Sequence, residues 1–367
     1  MKLKFFFITI TLLFSFIIIE IFLQFFYYFS VGTKFFERVQ TPIFEKDEYQ
    51  CAKFKNNLDY LHATTEYKYT IKTNENGYRV VNNNADSKII NNKKKIIFLG
   101  PSFSAGQGVE YNKSYAYLLS ERLKNDFNSV NSSTPAMPIN ANLCWLLNNI
   151  TNEEEITIIQ TIYGISHSGV NNQYSKENCK NFCININISK EGYLKTSSQS
   201  NFISFVVNIS KQSSTIFYLW EYLTKYFSNN ITTSISFEEL HKQIGKSYYE
   251  NSNDLNEIKK SYENYISNVR IINSKAKVYF VYIPYNFLVS DKYLFRWKHK
   301  NLNLVEILEM DKYFRSMMKN NFSFIDPSLK LVETESKQNN YYIIDVHLTE
   351  SGNQVIYEEI LKYLKNN

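Results

Sequence analysis

From Phe5 to Phe29 the chain is apolar at nearly every position, interrupted only by Thr9, Thr11, Ser15, Glu20 and Gln24, and Lys2 and Lys4 precede it. A helix needs about 20 such residues to cross the hydrocarbon core of a bilayer. The run therefore predicts one N-terminal transmembrane helix, with residues 1–31 as an anchor. The basic start favours a cytoplasmic N-terminus and an extracytoplasmic main domain, although Lys34 and Arg38 on the far side pull the other way. A cleaved signal peptide competes with this, against the length of the run and the want of a small-x-small site after it. Glu20 lies inside the span, where an ionisable side chain is costly and faces a partner or the interface.

Residues 32–92 are polar, aromatic-rich and irregular, and read as a juxtamembrane segment. Their one strong local signal is Thr73 to Val80, TNENGYRV, whose Asn76-Gly77 dipeptide predicts a small hairpin. Ile96 to Leu99 is apolar without alternation, as suits a strand covered on both faces. After a turn of small residues, Tyr115, Leu118, Leu119 and Leu123 recur at helical spacing. Further buried strands are predicted at Ile156–Ile162, at Lys277–Ile283 before Pro284, and at Phe322–Ile325, with a last extended piece at Tyr341–Ile344. Val355, Ile356, Ile360, Leu361 and Leu364 form the stripe of a closing helix. Strands of this kind separated by helices predict a three-layer α/β/α domain with a mainly parallel, flavodoxin-like sheet over residues 93–367. Between about 175 and 274 the alternation is diluted. Phe217–Phe227 and Phe237–Ile272 read as a helical insertion, set either over the strand ends, where open α/β sheets take their ligands, or on a sheet face.

Composition narrows the function classes. The net charge of +6 comes from scattered lysines, with no basic stripe interleaved with aromatics, so no nucleic-acid partner is expected. Cys51, Cys144, Cys179 and Cys183 could form two disulfides outside the cytoplasm, and three pairings are open. The Cys179/Cys183 spacing lacks the second ligand pair of a zinc site. No metal and no cofactor are expected.

Candidate chemistry sits at two places. In Lys95–Val109, KIIFLGPSFSAGQGV, a buried strand breaks at Gly100-Pro101 and Ser102 follows at once, backed by Ser104, Ala105 and Gly106. By itself Ser102 fits a helix cap as well as a nucleophile. The second place is Tyr341–Ile356, YYIIDVHLTESGNQVI, where Asp345 and His347 are two apart and so share one side of an extended segment. Thr349 or Ser351 would cap the closing helix. A serine is activated by a base within hydrogen-bond reach and a third group that fixes the tautomer of that base. Ser102, His347 and Asp345 supply all three types.

These stretches resemble the SGNH (GDSL-like) hydrolase superfamily, and the chain looks like a membrane-anchored member. FLGPSFSAGQGV is similar to the nucleophile block Gly-Asp-Ser-Phe-x-x-Gly-x-Gly-Val, and DVHLTESGNQVI to the last block. TNENGYRV resembles an Asn-x-x-Gly-x-Arg stretch found upstream in anchored members. The resemblance implies an SGNH-type fold, Ser102 as nucleophile, His347 as base and Asp345 as its orienting acid. It departs from the family where Pro101 replaces an aspartate and in the two middle blocks. There INANLCW and YGISHSGVNN leave Asn142, Ser166 and His167 as candidates for holding an oxyanion or substrate. The function expected is that of a serine esterase acting outside the cytoplasm on an acyl ester, such as an O-acetylated glycan. Transfer of the acyl group to a sugar hydroxyl is a close variant. The alternative is a catalytically weakened module that binds a surface glycan or envelope partner. Oligomeric state is left open.

Overall fold

The computed structural model describes residues 2–31, 43–47, 51–63, 66–82, 94–135, 137–152, 155–165, 170, 174–184, 215, 252–296, 304–343 and 345–366. Helix α1 (Lys2–Val31) opens the chain, and its Lys4–Phe26 stretch is long and apolar enough to cross a membrane. Inside that stretch Glu20 accepts hydrogen bonds from Gln24 Nε2 (2.6 Å) and from the backbone N–H of Thr215 (2.8 Å). The isolated carboxylate that the sequence presents is thus met by polar partners, as its burial in an apolar stretch requires.

Two antiparallel ribbons follow: β1 (Phe44–Asp47) with β2 (Cys51–Phe54), and β3 (Asp59–Ala63) with β4 (Lys68–Lys72). Past β4 the chain turns at Gly77, whose φ of +80° suits glycine, and a single bridge joins Thr73 to Arg79. Ile43, Phe54, Tyr67, Tyr69 and Ile71 form a separate apolar cluster that includes Ala105 of the main domain. This unit therefore packs on the turn that carries Ser102.

The main sheet has five parallel strands in the order β6-β5-β7-β8-β9. They are β5 (Lys94–Leu99), β6 (Phe127–Asn131), β7 (Ile156–Tyr163), β8 (Lys277–Ile283) and β9 (Phe324–Ile325). Alternate residues of each strand feed opposite layers. On one face Ile96, Phe98, Ile159 and Val281 pack against α2 (Tyr115–Leu123), α6 (Asn286–Val289), α8 (Ser328–Glu335) and α9 (Glu350–Asn366). On the other face Ile97, Leu99, Ile158 and Phe280 meet α3 (Ile139–Asn149), α5 (Ser252–Ile272) and α7 (Leu304–Asn321). Double coverage explains why β5, β7 and β8 read as mainly apolar runs without strict alternation. The result is the three-layer α/β/α architecture that those runs predict. β5 is flanked by β6 and β7, which follow it in sequence and lie on opposite sides, so the crevice beyond its C-terminal end is the switch point where such sheets hold ligands.

Some elements differ from expectation. β6 was not anticipated because its sequence, FNSVN, is polar and mostly half-buried at the sheet edge. β9 is only two residues long, and of the extended piece foreseen at Tyr341–Ile344 the described residues 341–343 keep a single bridge, Tyr341–Leu348; Ile344 lies outside the described residues. The helix expected at Phe217–Phe227 and the greater part of the 175–274 insertion lie outside the described residues. The described flanks are helices α4 (Lys176–Ile184) and α5. Cys144 of α3 is bonded to Cys179 of α4, and Cys51 is also in a disulfide.

Candidate active site

Ser102 stands just beyond β5 because the chain there cannot continue as a strand. Gly100 has φ +149°, and a Cβ on it would lie 2.7 Å from Ser104 Oγ and 2.9 Å from Thr161 Cβ, so only glycine fits the approach. The turn that follows is closed by Ala105 N–H donating to Pro101 O (3.2 Å) and Gln107 N–H to Ser102 O (2.9 Å). From beneath, the buried Ser104 hydroxyl ties the turn to Tyr115 Oη (2.5 Å) and Thr161 Oγ1 (2.6 Å). Asn131 Nδ2 donates to Ser104 O (2.8 Å). The side chain of Ser102 is left half-buried at the crevice.

The candidate acid and base, Asp345 and His347, come from the loop before α9. Tyr342 N–H donates to His347 O (3.1 Å) and Thr349 N–H to Asn340 O (3.0 Å), which brings residues 340–342 and 347–349 side by side. Thr349 is the cap of α9, since Gly352 N–H donates to its Oγ1 at 3.2 Å. Inside this fold Asp345 Oδ1 accepts from the backbone N–H of His347 (2.9 Å) and is in hydrogen-bond contact with His347 Nδ1. His347 Nε2 lies 2.7 Å from Ser102 Oγ. With the proton of Nδ1 directed at the carboxylate, Nε2 is the acceptor facing the serine hydroxyl. The Phe103 ring packs against the imidazole at 5.0 Å between centroids, which limits its swing. The structure therefore brings together three sequence candidates whose ends are 245 residues apart.

Burial by itself would raise the Asp345 carboxyl. Hydrogen bonds from the His347 ring and backbone and from Tyr67, together with the imidazole charge, outweigh it and hold the group down at about 2. Asp345 is thus a fixed negative charge beside the imidazole at neutral pH.

Several residues around the site were not singled out in the sequence. Tyr67 Oη donates to Asp345 Oδ2 (3.0 Å), and the Glu66 carboxylate accepts from the N–H groups of Ile343 (2.7 Å) and Asp345 (2.6 Å). Arg79 belongs to the noted TNENGYRV stretch. Its Nη1 donates to the carbonyls of Ala105 and Gly106, both at 2.7 Å. His62 is buried among the rings of Tyr60, Tyr67 and Tyr69. Burial pushes its pKa down to about 4, so it is neutral at pH 7. The signal that could have found Tyr67 is the alternation of Tyr67, Tyr69 and Ile71, which marks one buried ribbon face.

Of the oxyanion candidates, Asn142 is 1% exposed on α3, where its Nδ2 donates to Gln160 Oε1 at 3.2 Å. Gln160 Oε1 also accepts from Tyr265 Oη (2.9 Å) of α5, on the sheet face opposite the Ser104–Thr161 cluster. Ser166 and His167 lie outside the described residues. The N–H of Ser102 has no acceptor among the described residues and stands at the open start of its turn.

No protein-family model matches the chain, and no curated protein matches it. Solved structures do. A member of the lipolytic protein G-D-S-L family from Veillonella parvula is 12% identical, with 75% of this chain and 100% of that one covered and a TM-score of 0.38. An extracellular lipase from Streptomyces rimosus is 11% identical over 75% and 99%, with a TM-score of 0.41. A mutant acetyl-xylooligosaccharide esterase from Geobacillus is 8% identical over 74% and 94%, with a TM-score of 0.37. The chain resembles the SGNH (GDSL-like) hydrolases, and the weight of that resemblance lies in its own motifs and in the parallel sheet that carries them.

Proposed function

We propose that the chain is an SGNH-type serine esterase, tethered to a membrane by α1 and acting outside the cytoplasm through an acyl-enzyme on Ser102. One observation carries this: the 2.7 Å contact of Ser102 Oγ with His347 Nε2, on an imidazole whose other nitrogen is held by Asp345. His347 takes the hydroxyl proton as Ser102 Oγ attacks the ester carbonyl. The tetrahedral oxyanion is met by the Ser102 N–H. His347 then gives its proton to the leaving alkoxy oxygen, so an alcohol departs and the acyl group stays on Ser102. Water, deprotonated by the same imidazole, releases the acid. Asp345 stabilises the imidazolium formed in each half. The substrate class is an acyl ester, with O-acetylated surface glycan as the specific proposal. A sugar hydroxyl in place of water would make the same centre an O-acyltransferase.

The test uses the full chain in detergent micelles. A fluorophosphonate probe should label the wild type on Ser102 and leave Ser102→Ala unlabelled, and 4-nitrophenyl acetate hydrolysis should vanish in Ser102→Ala and His347→Ala. With O-acetylated glycan as donor, release of free acetate marks hydrolysis and an acetylated acceptor marks transfer. A wild type that is neither labelled nor active, yet retains a glycan, would instead favour a binding module.

A further inference from the structure

We propose that the two-ribbon unit ahead of the main domain is a working part of the catalytic centre: Tyr67 and Glu66 hold the acid-base loop, and Arg79 holds the nucleophile turn. This rests on the serine-esterase reading of Ser102, His347 and Asp345.

An orienting carboxylate acts through direction as much as through charge. Asp345 Oδ1 is committed to His347, by the backbone N–H and the ring. Unless its other oxygen is also held, the carboxylate can rotate about its Cβ–Cγ bond and take the imidazole with it. The Tyr67 hydroxyl supplies that second hold at 3.0 Å, and Tyr67 is itself fixed, since its ring lies 4.5 Å from that of Tyr342. Tyr342 in turn donates to Gly108 O at 2.7 Å, so one contact chain runs from Asp345 to the nucleophile turn. Burial, and next the charge of Asp345, push the Tyr67 phenol upward, so it remains a donor at any working pH.

Glu66 acts on the backbone. Its two carboxylate oxygens each take one N–H, from Ile343 and from Asp345. The peptide that carries the acid is thereby pinned from outside its own loop. Charge-assisted bonds of this kind are about twice as strong as neutral ones.

Arg79 works on the turn that carries Ser102. It is 5% exposed and has no salt bridge to a carboxylate among the described residues. Its guanidinium instead reaches the carbonyls of Ala105, Gly106, Thr70 (3.1 Å) and Val109 (3.3 Å), between the rings of Tyr69 and Tyr111. A buried cation is expensive unless its donors are met, and here Nη1 and Nη2 are met chiefly by the turn that presents Ser102, while Nε has no partner among the described residues. The turn's own Ala105 to Pro101 and Gln107 to Ser102 bonds carry that restraint back to the serine. Both loops of the triad are thus fixed by side chains within Glu66–Arg79, a stretch that lies outside the α/β sheet.

These are positioning residues, since none touches the reacting atoms. Tyr67→Phe deletes one oxygen and keeps the ring packing. In the full chain in micelles it should lower kcat for 4-nitrophenyl acetate roughly tenfold, about 1.4 kcal/mol of barrier. KM should stay within about twofold, with an unchanged thermal midpoint and slower fluorophosphonate labelling. Glu66→Gln should fall in the same direction with the same split. Arg79→Lys should slow labelling further, because one ammonium cannot serve four carbonyls. A purely structural role would lower the midpoint and leave kcat per folded molecule untouched. If Tyr67→Phe and Glu66→Gln both keep wild-type kcat while Ser102→Ala is dead, the inference is overturned and the esterase stands. If the wild type shows no Ser102-dependent turnover, the esterase reading fails and takes this inference with it.

Discussion

Replacing Asp345 by Asn removes one charge and almost no volume. Its magnitude follows from the geometry. In the native site the imidazolium formed during attack would face a carboxylate in direct contact with Nδ1, further held by the His347 N–H and the Tyr67 hydroxyl. For charges about 4 Å apart at an effective dielectric constant of about 20, the lost attraction is about 4 kcal/mol. At about 1.4 kcal/mol per decade this predicts a kcat roughly a thousandfold lower. The amide also invites misassignment. If its NH2 group turns toward Nδ1, the ring must carry its proton on Nε2, which faces Ser102, and the base is lost. The same change in a serine protease costs about 10⁴ in kcat, through the wrong tautomer. Steady-state hydrolysis of 4-nitrophenyl acetate by full-length wild type and Asp345→Asn gives kcat and KM separately. The expected outcome is a loss confined to kcat. A kcat within about tenfold of wild type would refute the role given to Asp345, because it is smaller than the electrostatic term alone.

Acid should weaken the fold through the same carboxyl. Its folded-state pKa of about 2 lies below the ordinary value of 3.8, so its stabilisation is complete above about pH 5 and drains away as pH falls toward 2. That amounts to on the order of 2 kcal/mol. Urea midpoints of the wild type should therefore fall more steeply below pH 4 than those of Asp345→Asn, and parallel curves would contradict this. The Cys144–Cys179 bridge closes a separation of 35 residues. Removing it in a Cys144→Ala/Cys179→Ala double variant should cost about 4 kcal/mol in urea unfolding. A loss under about 1 kcal/mol would mean that α3 and α4 are held together by packing alone. Gly164, at φ +58°, has space for a Cβ only 2.2 Å from Tyr285 Cζ. Gly164→Ala should destabilise by about 2 kcal/mol or more, from the left-handed backbone and the displaced ring, read as a lower thermal midpoint. An unchanged midpoint would show that Tyr285 yields freely.

Where the sequence could be read, burial on two faces made it readable. ITIIQTI and KVYFVYI announce β7 and β8 because both sheet layers demand apolar side chains there, and Gly100-Pro101 announces the end of β5. β6 escaped because an edge strand with half-buried residues carries Asn and Ser without penalty. Ser102, Asp345 and His347 were legible as residue types in the right order, since a strand-end turn and an Asp-x-His loop leave local signals. Tyr67 and Glu66 leave none: a hydroxyl 278 residues from its acceptor has no periodicity that betrays the pairing. Asn142 illustrates the reverse. Its place in INANLCW, where the family's second block would stand, suggested an oxyanion donor, yet its described hydrogen bond is to the Gln160 amide, inside the opposite layer.

Pro101 opens the turn that carries Ser102. Its carbonyl accepts from Ala105 N–H, so it occupies the first position of a helical turn, where the N–H has no partner to give up and a φ near −65° is already set. The unusual backbone in this stretch is borne by Gly100, at φ +149°, and not by the proline. What catalysis asks of the next residue is a hydroxyl toward His347 and a free N–H toward the oxyanion, and proline at position 101 removes neither. Its cost is confined to the missing side chain. The Ser104–Tyr115–Thr161 hydroxyl cluster and the Arg79 contacts hold the same turn from two directions. A nucleophile turn so anchored does not depend on a carboxylate at position 101 to keep Ser102 in place. That is why the departure most visible in the motif is compatible with the observed contacts among Ser102, His347 and Asp345.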